Sequence, residues 1–189
     1  DKRHPDNGQV CDILIEDGVI KEIASSLSEE ADEKIEGDEL CVSIGWMDMR
    51  ANFRDPGEEY KEGVSNGLKV AAKSGFTAVA LSPDTTPPID NKGAVEYLKN
   101  RAKGSGVEIF PIGAVSVGLK GEAMSEMYDM HLAGAHGFGD DKHSIHESGL
   151  LHRALLYTSN FNTPVFHFPY DSKLIPNGQL NEGEISTGL

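Results

Sequence analysis

The side chains able to bind or transform a ligand are gathered in a few short stretches. The first is Asp48-Met49-Arg50-Ala51-Asn52-Phe53-Arg54-Asp55-Pro56-Gly57, with arginines and carboxylates ahead of a Pro-Gly turn. The second, Ser82-Pro83-Asp84-Thr85-Thr86-Pro87-Pro88-Ile89-Asp90-Asn91, is rich in Pro, Thr and Asp. The third, Phe138-Gly139-Asp140-Asp141, ends on paired carboxylates, with His143 and His146 just beyond. The last begins at His167 and Phe168 and runs to the chain's end. Arginine offers a permanently charged, planar set of donors, while Asp and His can ligate a metal or carry a proton. Each group also has a plainer reading. Arg54 can simply cap its loop, and Asp140-Asp141 can be an N-cap pair for the helix that follows. His143 and His146 have the spacing of a metal pair on one helical turn, yet solvated loop histidines are commoner. His167 has a plain reading as a packed strand residue.

These stretches must be held by regular elements. Val10 to Ile23 alternates around Asp17-Gly18, the signature of a hairpin whose turn needs positive φ. Strands are therefore predicted over 10–15 and 19–24, followed by an exposed acidic connector over 25–39. From residue 40 the rhythm changes. Apolar strand-like runs over 40–49, 76–81, 107–115, 135–139 and 164–168 alternate with helical spacing over 58–74, 92–103, 122–133 and 147–161. The helical runs place Tyr60, Val64, Leu68, Ala71, Ala72, Val95, Leu98, Met124, Met127, Met130, Leu132, Leu150, Leu151, Leu155 and Leu156 inward. Such alternation predicts right-handed βαβ units on a parallel sheet. No Gly-x-Gly-x-x-Gly follows a strand and no Walker motif is present, so a nucleotide-binding doubly wound sheet loses its main support. A (β/α)8 barrel remains. It normally needs about 250 residues, so five units here are a barrel with its first five strands, preceded by a small β satellite domain. The boundaries expected are 1–42 for the N-terminal part of the satellite and 43–189 for the incomplete barrel. In a barrel, functional groups lie at the C-terminal strand ends, where the stretches above fall.

Composition narrows the partners. Of 189 residues, 38% are hydrophobic and 25% charged, which suits a folded core. The net charge of −14 argues against a nucleic-acid surface and disfavours an anionic ligand unless Arg or Lys is locally concentrated. No run approaches the roughly 18 apolar residues of a membrane span, and no secretory signal opens the chain. The two cysteines, Cys11 and Cys41, are expected as buried thiols of the satellite strands, in a reduced, cytoplasmic protein.

The functional stretches carry a resemblance. Residues 48–57 resemble the Asp-x-His-x-His-Leu-Arg-x-Pro-Gly motif of the dihydroorotase family of cyclic amidohydrolases, and residues 82–91 resemble its Pro-Asn-Thr-x-Pro-Pro segment. Phe138 to Asp141 is similar to its Phe-x-Asp-Asp. Asn181-Glu182-Gly183-Glu184-Ile185-Ser186-Thr187 nearly repeats its Asn-Glu-Gly-x-x-Ser-Thr. The resemblance implies interconversion of N-carbamoyl-L-aspartate, a small anionic pyrimidine precursor, with dihydroorotate. It also implies zinc that polarises the amide carbonyl and supplies hydroxide near neutral pH. The family's ligands are the His-x-His pair, a carboxylate or carboxylated lysine on the fourth strand, histidines on the fifth and sixth, and an Asp on the eighth. The resemblance gives Arg54 and position 84 to the substrate carboxylate, and Asp141, with Asp140 as its neighbour, to the metal.

The sequence departs from that pattern where the chemistry is concentrated. Arg50 and Asn52 stand at the two His positions. Arg has no lone pair for zinc, and Asn offers a neutral oxygen. Asp84 replaces the substrate-binding Asn with a charge that repels a carboxylate. The fifth-strand His aligns with Phe168, or with His167 if the register slips by one residue, which turns the side chain to the other face. The expectation is a weak or absent zinc site, with an Arg50–Asp141 ion pair in place of the metal, in a catalytically impaired or inactive homologue. The alternative is a non-catalytic scaffold subunit associating with aspartate carbamoyltransferase, a role the resemblance implies, and the family's habit suggests a homodimer.

Overall fold

A computed structural model describes residues 4–171 together with Leu174 and Gly183. The Asn181–Thr187 motif, Gly183 apart, lies outside the described residues. The chain divides into two compact units, Asp1–Ile44 and Gly45–Leu189. In the first, β1 (Asp12–Glu16) pairs antiparallel with β2 (Val19–Ala24), with an irregularity between Leu14 and Ile15. Asp17 (φ 53°) and Gly18 (φ 76°) supply the left-handed turn between them.

The second unit is a parallel sheet of five strands in sequential order. They are β3 (Trp46–Ala51), β4 (Phe76–Leu81), β5 (Glu108–Gly113), β6 (Gly137–Gly139) and β7 (Val165–Phe166). The helices α1 (Val64–Lys73), α2 (Lys92–Arg101), α3 (Met127–Ala133) and α4 (Ser148–Ser159) occupy the connections. Val79, Ala80 and Leu81 are buried in succession, as expected of a strand covered on both faces. One core cluster joins Val79, Leu81, Ile109 and Phe138 of the strands to Leu68, Val95, Leu98, Met130 and Leu150 of the helices.

Several element boundaries differ from the sequence expectation for identifiable reasons. The run over 40–49 is strand only from Trp46, and Cys41 is exposed and Cys11 half-buried, not buried thiols. α1 begins at Val64, not Glu58, because Gly63 (φ 77°) breaks the helical path and residues 58–61 form a turn closed by Lys61 N–H on the Glu58 carbonyl. Tyr60, expected inward, is exposed on that turn. α3 starts at Met127 because the residues before it are drawn to the strand-end loop. Ser125 N–H binds the Val115 carbonyl at 2.9 Å, and Ser125 Oγ binds the Ala114 carbonyl at 2.6 Å. On α4 the inward line is Leu150, Ala154 and Thr158, at helical spacing. Leu155 and Leu156 lie off that line and are exposed.

Candidate functional site

The loop after β3 is shaped by its own short polar side chains. Asp48 Oδ1 accepts the Arg50 N–H at 2.9 Å, and Asn52 Oδ1 accepts the Arg54 N–H at 3.1 Å. β3 is bulged against β4: Asp48 pairs with Val79 and Ala51 with Leu81, so Met49 and Arg50 together oppose Ala80. A bulge re-aims side chains, and here it directs Arg50 away from simple strand alternation. Arg54 lies in the left-handed region at φ 58°, a strained conformation of the kind that concentrates at ligand sites.

Behind Arg54, Asp55 anchors the loop. It is buried, accepts the Tyr97 hydroxyl at 2.6 Å and the Val64 N–H at 3.1 Å, and stands 3.5 Å from Arg101 Nη2. The phenol of Tyr97 is pushed above its ordinary pKa, chiefly by that hydrogen bond to the carboxylate and then by burial. Two further contacts fasten this loop to the one after β4. Thr86 N–H binds the Pro56 carbonyl at 3.0 Å, and Gly57 (φ 103°) lies so close to Thr86 that any Cβ would collide with its carbonyl oxygen.

On this frame, cations and carboxylates meet in pairs. Arg50 Nε donates to Asp141 Oδ1 at 2.6 Å, across 91 positions of sequence. The Arg50 side chain is 63% exposed and that of Asp141 only 2%. Asp141 raises the Arg50 pKa, first through the hydrogen bond and then through its charge, and Asp84 adds to this. Asp141 also has positive φ (53°), and its buried Oδ2 has no hydrogen-bond partner. Asp84 gathers the other basic side chains. Its Oδ2 lies 3.3 Å from Arg54 Nη1 and 3.6 Å from Lys142 Nζ, and its Oδ1 lies 3.6 Å from His143 Nε2. Its main-chain carbonyl accepts from Asn52 Nδ2 at 3.3 Å and from Arg54 Nη1 at 3.4 Å. Glu58 stands 3.5 Å from the same arginine nitrogen and 2.5 Å from Lys61, whose hydrogen bond lowers the Glu58 pKa.

The neighbouring carboxylates Asp140 and Asp141 have different fates. Asp140 Oδ1 accepts the N–H groups of Val115 (2.8 Å) and Ser116 (3.0 Å), and its Oδ2 takes the Ser116 hydroxyl. It ties the end of β6 to the loop after β5 through three accepted hydrogen bonds. Asp141 faces the cation. Neither caps α4, which is capped by Glu147 accepting from Gly149 and Leu150. The N-cap reading is therefore replaced by a structural tie for Asp140 and an ion pair for Asp141.

The fold thus brings Arg50, Asn52, Arg54, Asp84 and Asp141 into one constellation at the C-terminal ends of the strands. His167 and Phe168 lie past the end of β7, both exposed. The sequence alone does not point to Lys142, to His143 as a partner of Asp84, or to the Asp55–Tyr97–Arg101 anchor. The i, i+4 spacing of Tyr97 and Arg101 on α2, which puts them on one face, is the signal that could have found the anchor. Among the described residues, no group of three or more His, Cys, Asp or Glu side chains is placed to hold a metal ion. No helix among them is long and apolar enough to cross a membrane.

A family model described as dihydro-orotase-like matches residues 40–188. A dihydroorotase from Ruminiclostridium cellulolyticum is 42% identical over 182 residues, covering 96% of this chain and 42% of its own length. One from Geobacter metallireducens is 40% identical over 183 residues, covering 96% and 43%. The chain therefore spans less than half the length of these relatives. Among solved structures, an L-hydantoinase (dihydropyrimidinase) from Arthrobacter aurescens superposes with a TM-score of 0.65 at 23% identity, over 82% of this chain and 36% of that one. The five parallel strands with their helices are accordingly part of an amidohydrolase (β/α) barrel.

Proposed function

Because this chain belongs to the dihydro-orotase-like family, we propose that it is a dihydroorotase homologue of the cytoplasmic pyrimidine pathway whose own residues have exchanged the metal centre for an ion pair. The observation that carries this is the 2.6 Å contact from Arg50 Nε to Asp141 Oδ1. Arg50 stands where the family's motif has its first histidine, and Asn52 where it has its second. A guanidinium has no lone pair to give, and an amide oxygen is a poor substitute for imidazole toward zinc. The one carboxylate that the resemblance assigns to the metal is already committed to Arg50. These donors do not fit zinc. In place of an exchangeable dication that polarises a carbonyl, the loops hold a fixed monovalent cation, which orients charge without supplying hydroxide. Ring closure of N-carbamoyl-L-aspartate is therefore reduced or lost.

The test is metal analysis of the purified protein beside a cyclisation assay with N-carbamoyl-L-aspartate. Zinc well below stoichiometric, and no turnover when zinc is added, is the expected result. Stoichiometric zinc with turnover would sink the reading.

A second reading, as a structural subunit, is favoured by a patch of exposed apolar side chains. Tyr128 of α3 and Tyr157 of α4 both pack on Phe161, and Leu132, Leu155 and Leu156 are exposed on the same two helices. Large apolar side chains left exposed in number suit a surface that another protein covers. Association with an aspartate carbamoyltransferase, or with a second copy of the chain, is tested by light scattering of the protein alone and mixed with the transcarbamoylase. A monomer in both conditions removes this second reading.

A further inference from the structure

Asp84 is surrounded by nitrogen-bearing side chains, two of them permanent cations, delivered from two other loops. Arg54 reaches its Oδ2 from the loop after β3, and Lys142 and His143 reach its two oxygens from the loop after β6. The separations, 3.3 to 3.6 Å, are those of ion pairs without tight hydrogen bonds. The Asp84 side chain is only 16% exposed, whereas Lys142 and His143 are about half exposed and free to turn toward a ligand. In a chain of net charge −14, Arg54 and Lys142 are a local concentration of positive groups, and the acceptor they share is internal. Arrays of convergent cations are the usual receptors of carboxylates.

We propose that Asp84 is a built-in counter-ion, filling from within the chain an anion position made by Arg54 and Lys142, with His143 beside it, and so excluding a carboxylate ligand. The proposal deepens the reading given above and rests on its placing of the ligand at these loops. It adds that the positive receptor is intact and occupied. Glu58, 3.5 Å from Arg54 Nη1, shares that arginine, and its other ion pair is with Lys61.

The loop that carries Asp84 does not depend on its charge. Asp84 N–H binds Ser82 Oγ, and the Asp84 carbonyl accepts from Asn52 and Arg54. Thr85 and Ile89 N–H groups both bind the Pro83 carbonyl. Asp84→Asn therefore removes one charge and leaves the main-chain frame in place.

The experiment is a calorimetric titration of succinate into the chain with a chelator present, so that binding is read without metal or turnover. Asp84→Asn is expected to bind succinate at least about tenfold more tightly than the unmodified chain, a factor well within calorimetric reach. The gain should weaken with added salt and vanish when Arg54→Met is combined with it. Asp84→Ser, which also removes the charge, repeats the comparison in a second background. The proposal is overturned if the unmodified chain binds succinate as tightly as the variants, if both folded variants show no gain, or if the gain survives Arg54→Met. Failure of both variants to fold also counts against it, because the frame is then not the main-chain one described. None of these outcomes depends on zinc content, so a failure here is separable from a failure of the metal-free reading.

Discussion

Four aspartates meet at the C-terminal ends of the barrel strands, and they fall into two kinds. Asp55 and Asp140 are buried and bound by backbone N–H groups and the Tyr97 hydroxyl at 2.6 to 3.1 Å, and Asp140 also takes the Ser116 hydroxyl. Asp84 and Asp141 are bound by the ends of long cationic side chains, most of them half exposed. The first kind is fixed by groups that cannot move without unfolding a loop. The second is fixed by groups that can swing into water at small cost. The difference separates frame from proposed site: a carboxylate held by main chain positions a loop, and one held by flexible side chains is free to exchange its partners.

The frame should be broken most severely at Asp140. Asp140→Ala strands the Val115 and Ser116 N–H groups and the Ser116 hydroxyl together in a buried place. Each unsatisfied group costs about 1–3 kcal/mol, and partial entry of water reduces the sum, so a loss of roughly 3–5 kcal/mol is expected in urea unfolding. Asp84→Ala should cost less than about 1 kcal/mol, since its partners are re-solvated. Equal losses at the two positions would erase the distinction.

A sharper comparison lies within the Arg50–Asp141 pair itself. Arg50→Met leaves a carboxylate with a 2% exposed side chain without its cation, and is expected to destabilise by about 1–3 kcal/mol. Asp141→Asn leaves a mostly exposed guanidinium, which water receives, and removes the charge beside the unpartnered Oδ2. Its expected cost is within about 0.5 kcal/mol of zero. A double-mutant cycle measures the coupling. If the two single variants cost the same, the pair is an ordinary surface contact and Asp141 is not the buried member.

The Asp55 anchor carries the pH signature. Tyr97→Phe deletes one hydrogen bond to a carboxylate that keeps the Val64 N–H, so about 1–1.5 kcal/mol is expected. Because the folded-state pKa of Tyr97 is raised above 10.0, the folded chain retains that proton longer than the unfolded chain. Stability from this group is full below pH 10 and is lost as pH climbs through the raised value. Unfolding midpoints followed from neutral to alkaline pH should fall less steeply in Tyr97→Phe than in the unmodified chain.

Much of this was legible in the sequence, and the illegible part has a common cause. The hairpin around Asp17-Gly18 and the alternation of strands and helices follow from local patterns, because each element is signalled by its own residues. The arginine and asparagine at positions 50 and 52, on which the proposed loss of a metal site rests, are likewise visible there. What could not be read was how neighbours divide the work. Asp140 and Asp141 are chemically identical and adjacent, and only the approach of Val115 and Ser116 on one side and Arg50 on the other tells them apart. The start of α3 was misjudged for the same reason. Residues 122–126 have helical spacing, but Ser125 is claimed by the Ala114 and Val115 carbonyls from a distant strand end.

The smallest expected effect tests the outer edge of the comparison. Lys142 lies 3.6 Å from Asp84 Oδ2 with its side chain more than half exposed. An exposed pair of this length gains little over hydration and gives up side-chain freedom, so Lys142→Ala should change stability by no more than about 0.5 kcal/mol. What it should change is the balance at the mouth. With one cation gone, Asp84 is held by Arg54 and His143 alone, and the succinate affinity gained by Asp84→Asn should fall in the Lys142→Ala background. The two readouts move independently, stability near zero and affinity down. A variant that lost stability without altering affinity would make Lys142 part of the frame, on the same footing as the main chain that holds Asp140.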